Sequence, residues 1–284
     1  MQTLPGPNLT GCIALGGAGF SLTDEPDAEA AIRVIRAAAD AGVIVFDSAR
    51  AYAPVDDPFH NESLFAEALS GRPGILIGTK GGHFRTGQRE WAIDNSPDRL
   101  RRDVDDSLVA LGVEHIGLYY LHRADQPEPI ARSVATLNEL RQAGKIARIG
   151  ISNVTAGQVD EAVTVAPIAA VQNHHSVGGS ESIAVLRRCE ELGIPFFAYS
   201  PLRGNGIGER AVRNFPRTSA IATSRGVSLQ RLLLRAMLAS SPMMSVIVGA
   251  GREETAVDSA LAPFEPWDAE LATLFALDVE SGLT

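Results

Sequence analysis

Short runs of apolar, β-branched residues alternate along the chain with longer amphipathic stretches. Eight such runs occur, and each has the length of a buried strand. Strands that alternate with helices along one chain are typical of a parallel sheet built from βα units. The predicted strands are Ile13–Gly16, Val43–Phe46, Ile75–Thr79, Ile116–Leu121, Ala147–Ile151, Ala169–Gln172, Pro195–Tyr199 and Ser245–Val248.

The stretches between the predicted strands carry the start and stop signals of helices. Ser96 followed by Pro97 predicts the beginning of a helix, because Ser caps a first turn well and Pro is tolerated there. Apolar residues then recur at helical spacing until Gly112, which predicts the end of that helix. The same signal predicts helix ends at three further glycines, Gly42, Gly144 and Gly193.

The number and order of these elements predict the architecture. No linker rich in Ser, Pro or charge divides the chain, so one domain over residues 1–284 is expected. Eight parallel strands with intervening helices form a closed barrel in about 250 residues. The sequence therefore predicts an α/β fold, a single-domain (β/α)8 barrel of the TIM type.

Composition and charge narrow the class of function. The chain is 45% hydrophobic and carries a net charge of -9, which is typical of a globular protein with an acidic surface. Such a surface repels phosphate backbones and anionic lipids, so neither nucleic acid nor a membrane is expected as a partner.

Cys12 and Cys189 form no C-x-x-C pair, and the uncharged segment Gly11–Phe20 lacks the basic start of a signal peptide. A cytoplasmic location is expected.

Polar side chains follow the apolar runs where the predicted strands end. In such barrels the active site lies at the carboxyl ends of the strands, so these side chains are candidates for function. Each also has a structural explanation, such as a loop cap, a helix cap or a buried hydrogen bond. Their convergence on one rim favours the functional interpretation. They are Asp47, Lys80, His122, Ser152, Asn153, Gln172 and Tyr199.

Four residues at this rim predict chemistry on a carbonyl group. Asp47 on the neighbouring strand keeps Lys80 charged, and Tyr52 lies in the loop that leaves the strand of Asp47. A phenol, whose ordinary pKa is near roughly 10, becomes a better acid when a nearby cation stabilises its anion. His122 can donate a hydrogen bond to an oxygen held beside Tyr52. This set suits protonation of a carbonyl oxygen rather than acyl transfer or metal-assisted hydrolysis.

Five segments, in order along most of the chain, resemble the successive motifs of the aldo-keto reductase superfamily. They are Phe46–Tyr52, Gly78–Gly82, Tyr119–Arg123, Gly150–Asn153 and Ala198–Leu202. The resemblance implies a barrel that uses NAD(P)H without a Rossmann domain, and no G-x-G-x-x-G motif occurs in the chain. It also implies that Asp47, Tyr52, Lys80 and His122 form a catalytic tetrad.

The resemblance further implies which residues bind the cofactor. Ser152, Asn153 and Gln172 match positions at the nicotinamide carboxamide, and Tyr199 matches the residue that stacks on the nicotinamide ring. Ser200 and Leu202 follow it in the same motif. Gly249, Gly251 and Arg252 come directly after the last strand and open a helix, which suits a phosphate group. Ser259 stands where the family has an Asn that holds the adenine.

Arg252 predicts which form of the cofactor is used. A guanidinium in the phosphate loop can make a charge-assisted hydrogen bond to a 2′-phosphate, so NADPH is expected, with NADH possible. Glu253 and Glu254 follow at once and would weaken an anion site if they turned inward.

The substrate is expected to be a small-molecule carbonyl or alcohol in a wide, open pocket lined by His83, Phe84 and Trp91, in the loop after the third strand. A metal is not expected, because His174 and His175 are adjacent in a strand and point to opposite faces. Two alternatives stay open: a cofactor-binding regulatory or sensor subunit, and a barrel hydrolase with Asp47 and Glu62 facing each other across a cleft.

Overall fold

Eight parallel strands close into a barrel in the computed structural model, which describes residues 7–23, 25–87, 89–124, 128–202 and 209–282. Each strand pairs with the next along the chain, and the first pairs with the last. The predicted (β/α)8 barrel is therefore confirmed. The barrel strands are β1 (Ile13–Gly16), β2 (Val45–Asp47), β3 (Leu76–Gly81), β6 (Leu118–Leu121), β7 (Ile149–Ser152), β8 (Ile168–His174), β9 (Phe196–Tyr199) and β10 (Met244–Val248).

Helices surround the barrel strands. In the described residues they are α1 (Ala18–Ser21), α2 (Ala28–Asp40), α3 (His60–Leu69), α4 (Pro97–Leu111), α5 (Ile130–Gln142), α6 (Ala156–Val165), α7 (Ile183–Leu192), α8 (Glu209–Asn214), α9 (Pro216–Arg225), α10 (Leu229–Ala239), α11 (Glu253–Ala260) and α12 (Ala269–Gly282). Short 3₁₀ helices span Arg50–Tyr52 and Ala262–Phe264. Ser96 caps α4, and Gly112 ends it in a left-handed conformation, as the sequence predicts.

Three strands begin two residues later than predicted: β2 at Val45, β6 at Leu118 and β7 at Ile149. Val43 and Ile116 are nonetheless buried, and Ile116 pairs with Ile146 in an isolated bridge, whereas Ala147 is exposed. In two of these three runs, therefore, burial begins before the regular ladder does.

The chain departs from a plain alternation of strand and helix in two places. The segment after β3, expected as a loop, forms an antiparallel hairpin of β4 (His83–Gly87) and β5 (Glu90–Ile93). Gly82 turns the chain into it with a φ of +80°, which only Gly adopts readily. The long interval before β10 contains α8, α9 and α10.

Period-two alternation places the candidate side chains inside the barrel. Val45, Tyr120, Ala170 and Phe197 belong to an apolar cluster that fills the barrel interior. Two residues further along each strand the side chain points to the same side and carries a polar group. These side chains belong to Asp47, His122, Gln172 and Tyr199. The barrel interior is thus apolar in its middle and polar at the carboxyl end of the strands.

No helix in the described part of the chain is both long and apolar enough to cross a bilayer.

Candidate active site

A buried lysine forms the centre of the polar end of the barrel. Lys80, on β3, is completely buried, and its Nζ donates to Asp47 Oδ2 at 2.7 Å and to the carbonyl oxygen of Ser48 at 2.8 Å. Its third partner is the hydroxyl of Tyr52, at 3.0 Å. Gln172 Nε2 donates to the other carboxylate oxygen of Asp47 at 2.8 Å. All three ammonium donors and both carboxylate oxygens therefore have partners, which compensates the burial of this ion pair.

Burial and charge act against each other on these groups. Burial by itself lowers the pKa of Lys80, but Asp47 and Tyr52 outweigh it and hold that pKa above its ordinary value. Burial also raises the pKa of the Tyr52 phenol, and the Lys80 ammonium only partly offsets this effect. Tyr52 therefore remains protonated at neutral pH and can act as a proton donor.

His122 packs against Tyr52 and is neutral at physiological pH. Its ring makes an edge contact with the Tyr52 ring, with centroids 5.7 Å apart. Burial lowers the pKa of His122 well below its ordinary value, and the positive charge of Lys80 adds to that effect. A neutral imidazole carries one N–H donor, which suits it to bind an oxygen beside Tyr52 without competing as an acid.

Asn153, which follows β7, links the ends of β6 and β9 at the same rim. Its Nδ2 donates to the carbonyl oxygen of His122 at 2.9 Å, and its Oδ1 accepts from the Tyr199 hydroxyl at 2.6 Å. Asn153 and Ser200 have positive φ values of 57° and 54°, which are uncommon for residues other than Gly. Backbone of this kind is concentrated at functional sites, so it supports the assignment of this rim as the site.

A cavity of about 770 Å³ includes two of the four predicted tetrad residues, Asp47 and Tyr52, in its lining. Tyr199 and Arg252 line the same cavity. The volume is within the range of about 300–1,000 Å³ that is usual for small-molecule sites. Of the predicted cofactor residues, those that line it are Tyr199, Ser200, Leu202, Gly249, Gly251 and Arg252.

Residues in and beside the cavity suit a nicotinamide dinucleotide. Tyr199 lines the cavity and offers an aromatic face, whereas Ser152, Asn153 and Gln172 are not among the lining residues. The Tyr199 hydroxyl donates to Asn153, and Ser152 lies beside Asn153, with its Oγ 3.1 Å from Asn153 Nδ2. Gly249 and Gly251, which also line the cavity, lead into the N-terminus of α11, where helix amides and Arg252 favour an anion. These residues fit the cofactor that the sequence resemblance implies.

The adenine end differs from the expectation at Ser259. That side chain is fully buried in α11: its Oγ donates to the carbonyl oxygen of Thr255 and accepts from Gln230 Nε2 at 2.7 Å. It is not among the residues that line the cavity, whereas Gln230 and Thr255 are. Neither residue is among those predicted from the sequence. Thr255 could have been found, because it follows Arg252 in the first turn of α11, but no local motif marks Gln230 as a cavity residue.

Asp47 and Glu62 do not face each other across a cleft, so the hydrolase alternative is wrong. Thr79 and Lys80 are adjacent on β3 and point to opposite sides of the strand. Lys80 holds Asp47, whereas Thr79 donates to Glu62 Oε1 at 2.6 Å. Glu62 therefore lies outside the barrel, where burial raises its pKa.

The three predicted pocket residues lie on the hairpin in different environments. The ring of His83 contacts that of His122, with centroids 4.8 Å apart. The Phe84 ring lies under the guanidinium of Arg99, at 3.6 Å. Trp91 is 41% exposed. His83 is therefore closest to the tetrad, and all three remain predicted pocket residues.

The adjacent histidines make separate contacts. His174 packs on Tyr199, with centroids 5.5 Å apart, and His175 packs on Phe196. Within the described ranges no cluster of three or more His, Cys, Asp or Glu side chains is arranged to hold a metal ion.

The family model for the aldo/keto reductase family matches residues 12–270, so this chain belongs to that family. Members use NAD(P)H, which makes the chain an oxidoreductase with a nicotinamide cofactor. An uncharacterised oxidoreductase of Schizosaccharomyces pombe is 32% identical over 248 residues, covering 86% of this chain and 78% of the relative. A probable aldo-keto reductase of Glycine max is 35% identical over 215 residues, covering 74% of this chain and 60% of the relative.

Solved structures share the fold. A glycerol dehydrogenase from Gluconobacter oxydans superposes with a TM-score of 0.77 at 26% identity, covering 95% of this chain and 90% of its own. An aldo-keto reductase from Klebsiella pneumoniae in complex with NADPH gives a TM-score of 0.78 at 23% identity, covering 94% and 91%. These similarities agree with the closed barrel seen here.

Proposed function

We propose that this protein is an NADPH-dependent reductase that interconverts a small-molecule aldehyde or ketone with its alcohol. The observation that carries the proposal is the contact, at 3.0 Å, between Lys80 Nζ and the hydroxyl of Tyr52, a residue that lines the cavity. A protonated phenol at that position can give its proton to a carbonyl oxygen.

Each member of the tetrad has a separate task. When bound, the reduced cofactor supplies the hydride. Tyr52 donates the proton to the substrate oxygen, and Lys80 stabilises the phenolate that remains. Asp47 keeps Lys80 charged and in place, and Gln172 fixes the Asp47 carboxylate. Neutral His122 orients the substrate oxygen by a hydrogen bond.

We infer that NADPH is preferred over NADH because Arg252 lines the same cavity as Tyr52 and can bind a 2′-phosphate there. Glu253 lies 3.5 Å from Arg33 in an exposed ion pair, which turns that carboxylate towards α2. This arrangement reduces the opposing charge that the sequence alone suggests.

The test is a substrate screen with purified protein, following the absorbance of the reduced cofactor. Aldehydes, ketones, sugars and polyols belong in it; polyols are included because one structural relative is a glycerol dehydrogenase. We expect turnover with NADPH and weaker binding of NADH. Tight cofactor binding without turnover of any carbonyl would favour the regulatory or sensor alternative.

The decisive variant is Tyr52→Phe, which removes one hydroxyl and leaves the ring. General acid catalysis contributes roughly a hundred- to ten-thousandfold, so the reduction rate should fall by at least about a hundredfold. Cofactor affinity, measured by fluorescence titration of the same variant, should stay unchanged, because Ser152, Asn153 and Tyr199 are untouched. A loss below about tenfold would assign the proton to another group, with His122 the first to test.

A further inference from the structure

The hairpin binds the backbone on both sides of Tyr52. The indole Nε1 of Trp91 donates to the carbonyl oxygen of Ala51 at 3.1 Å, and Arg85 Nη1 donates to the carbonyl oxygen of Ala53 at 3.3 Å. Arg85 and Trp91 are direct cross-strand partners, and the guanidinium lies 5.5 Å from the centre of the indole ring. These two side chains thus bind the carbonyl oxygens of the two residues that flank the proposed proton donor.

The segment they hold is short and has little regular structure of its own. Tyr52 is the last residue of a single 3₁₀ turn, and its N–H donates to Ala49 at 3.1 Å. Turns of this kind have poor hydrogen-bond geometry and rarely extend beyond three or four residues. Beyond Tyr52 the backbone becomes extended at Ala53. External contacts must therefore fix the direction in which the phenol points.

The buried side of the turn is fixed by Arg50. Its guanidinium donates to the carbonyl oxygen of Pro58 at 2.7 Å and pairs with Asp106 at 3.1 Å. These contacts hold the start of the turn, two residues before the phenol. The end of the turn, at Tyr52 itself, is held from the outside by the hairpin.

The direction of the Trp91 N–H distinguishes an anchor from a pocket wall. The indole N–H is the only hydrogen-bond donor of that side chain, and it points at main chain. A residue that only lined the substrate pocket would require its aromatic ring but not a hydrogen bond to the main chain. We propose that Trp91 is a positioning residue for Tyr52, with Arg85 as the second anchor. This inference rests on the proposed function of Tyr52.

The test compares Trp91→Phe with the wild-type protein. Phe keeps an aromatic ring beside Arg85 and removes the N–H donor. The phenol should lose part of its alignment with the substrate oxygen, so kcat should fall about tenfold, because small misplacements of a reacting group cost up to about a hundredfold. The fall should be the same for a small aldehyde and a bulky ring-bearing ketone, and cofactor affinity should not change.

A second measurement needs neither substrate nor cofactor. Hydrogen exchange of the backbone at residues 50–53 should be faster in Trp91→Phe and faster still when Arg85→Met is added, while the barrel strands remain protected. Thr86→Ala is the matched control, because Thr86 is an exposed residue of the same hairpin. It should leave kcat and exchange unchanged.

The outcomes separate the two proposals. Unchanged exchange at residues 50–53 in Trp91→Phe would overturn the anchor, and so would a kinetic change confined to KM of bulky substrates. If the wild-type protein turns over no carbonyl, the proposed function fails. Faster exchange in the variant would then still support Trp91 as an anchor of the turn, and unchanged exchange would overturn that proposal as well.

Discussion

The phenol of Tyr52 illustrates what single residues can and cannot reveal in a sequence. The pairing of Tyr52, Lys80 and Asp47 can be predicted, because each follows a strand and their chemistry is complementary. The net direction of the phenol pKa cannot, since it depends on how completely the ring is buried. Burial raises that pKa more than Lys80 lowers it. Lys80 therefore moderates an effect of burial and does not by itself make the phenol a strong acid.

Removing the lysine should consequently move the pKa of Tyr52 further up. In Lys80→Met the burial of the ring remains, while the ammonium that stabilises the phenolate is lost. Oxidation of an alcohol requires the phenolate as base, so its rate should reach a plateau only at a higher pH than in the wild-type protein. The measurement is kcat for alcohol oxidation as a function of pH.

The control for this effect is the double variant with Tyr52→Phe. Because Lys80 acts through Tyr52, the double variant should be no slower than Tyr52→Phe alone. Losses that multiply would assign Lys80 a second role. Asp47 loses its buried partner in Lys80→Met, so this variant could also be less stable. Thermal unfolding of each protein distinguishes a loss of stability from a second role of Lys80.

At the scale of elements, helix α9 depends on a cap supplied by another helix. Its N-cap residue is Phe215, which has no side-chain acceptor. Asp278 of α12, fully buried, accepts instead from the N–H of Thr218 at 2.8 Å and from the N–H of Arg217 at 3.2 Å. The Thr218 hydroxyl also donates to it at 2.8 Å. Asp278 thus both caps α9 and docks α12 onto it.

We expect Asp278→Ala to lower the free energy of unfolding by about 2–4 kcal/mol, because it leaves buried donors unpaired and removes a charge at a helix N-terminus. Urea denaturation measures the loss. Glu280→Ala, an exposed change on the same helix, should cost less than about 0.5 kcal/mol. Asp278→Asn, which keeps an acceptor oxygen, should cost less than Asp278→Ala, and an equal loss in both variants would argue against the capping role.

The range of the stabilising contacts decides which elements can be predicted from the sequence. Strands and helices whose signals are local, such as α4 with Ser96 and Gly112, follow from the sequence. The hairpin of β4 and β5 and the cap at Asp278 do not. The hairpin is held by contacts with the turn at Arg50–Tyr52, and Asp278 lies 60 residues from Thr218 in the chain. Interactions of that range leave no periodic signal.

At the scale of the molecule, closure of the barrel brings the site together. Asp47 and Gln172 are 125 residues apart in sequence and 2.8 Å apart in space. Their meeting follows from the eight-strand closure, which the order of elements predicts. The part of the cavity lined by Gln230 is less predictable, because that residue comes from α10 without a motif. The strand-end residues around Asp47 therefore follow more directly from the sequence than Gln230 does.

Two buried histidines link the stability of the whole molecule to pH. Burial lowers the pKa of both His122 and His175 in the folded protein. In the unfolded chain a histidine has its ordinary pKa of about 6.5, so the unfolded state binds protons first as the pH falls. Stability contributed by the neutral rings is full above that value and is lost as pH falls below it.

Between pH 7 and pH 5.5 His122 should remove about 1 kcal/mol of unfolding free energy, since the maximum slope is about 1.4 kcal/mol per pH unit per proton. His175 should remove less, because the nearby Glu181 carboxylate opposes the effect of burial on its pKa. Urea denaturation of wild type at both pH values measures the total. In His122→Asn the loss should shrink by about 1 kcal/mol, in His175→Asn by less, and in the double variant by the sum of the two, because the two sites share no partner. His115→Asn, which removes an exposed histidine, should retain the wild-type loss. An undiminished loss in the double variant would assign the acid sensitivity to carboxylates instead.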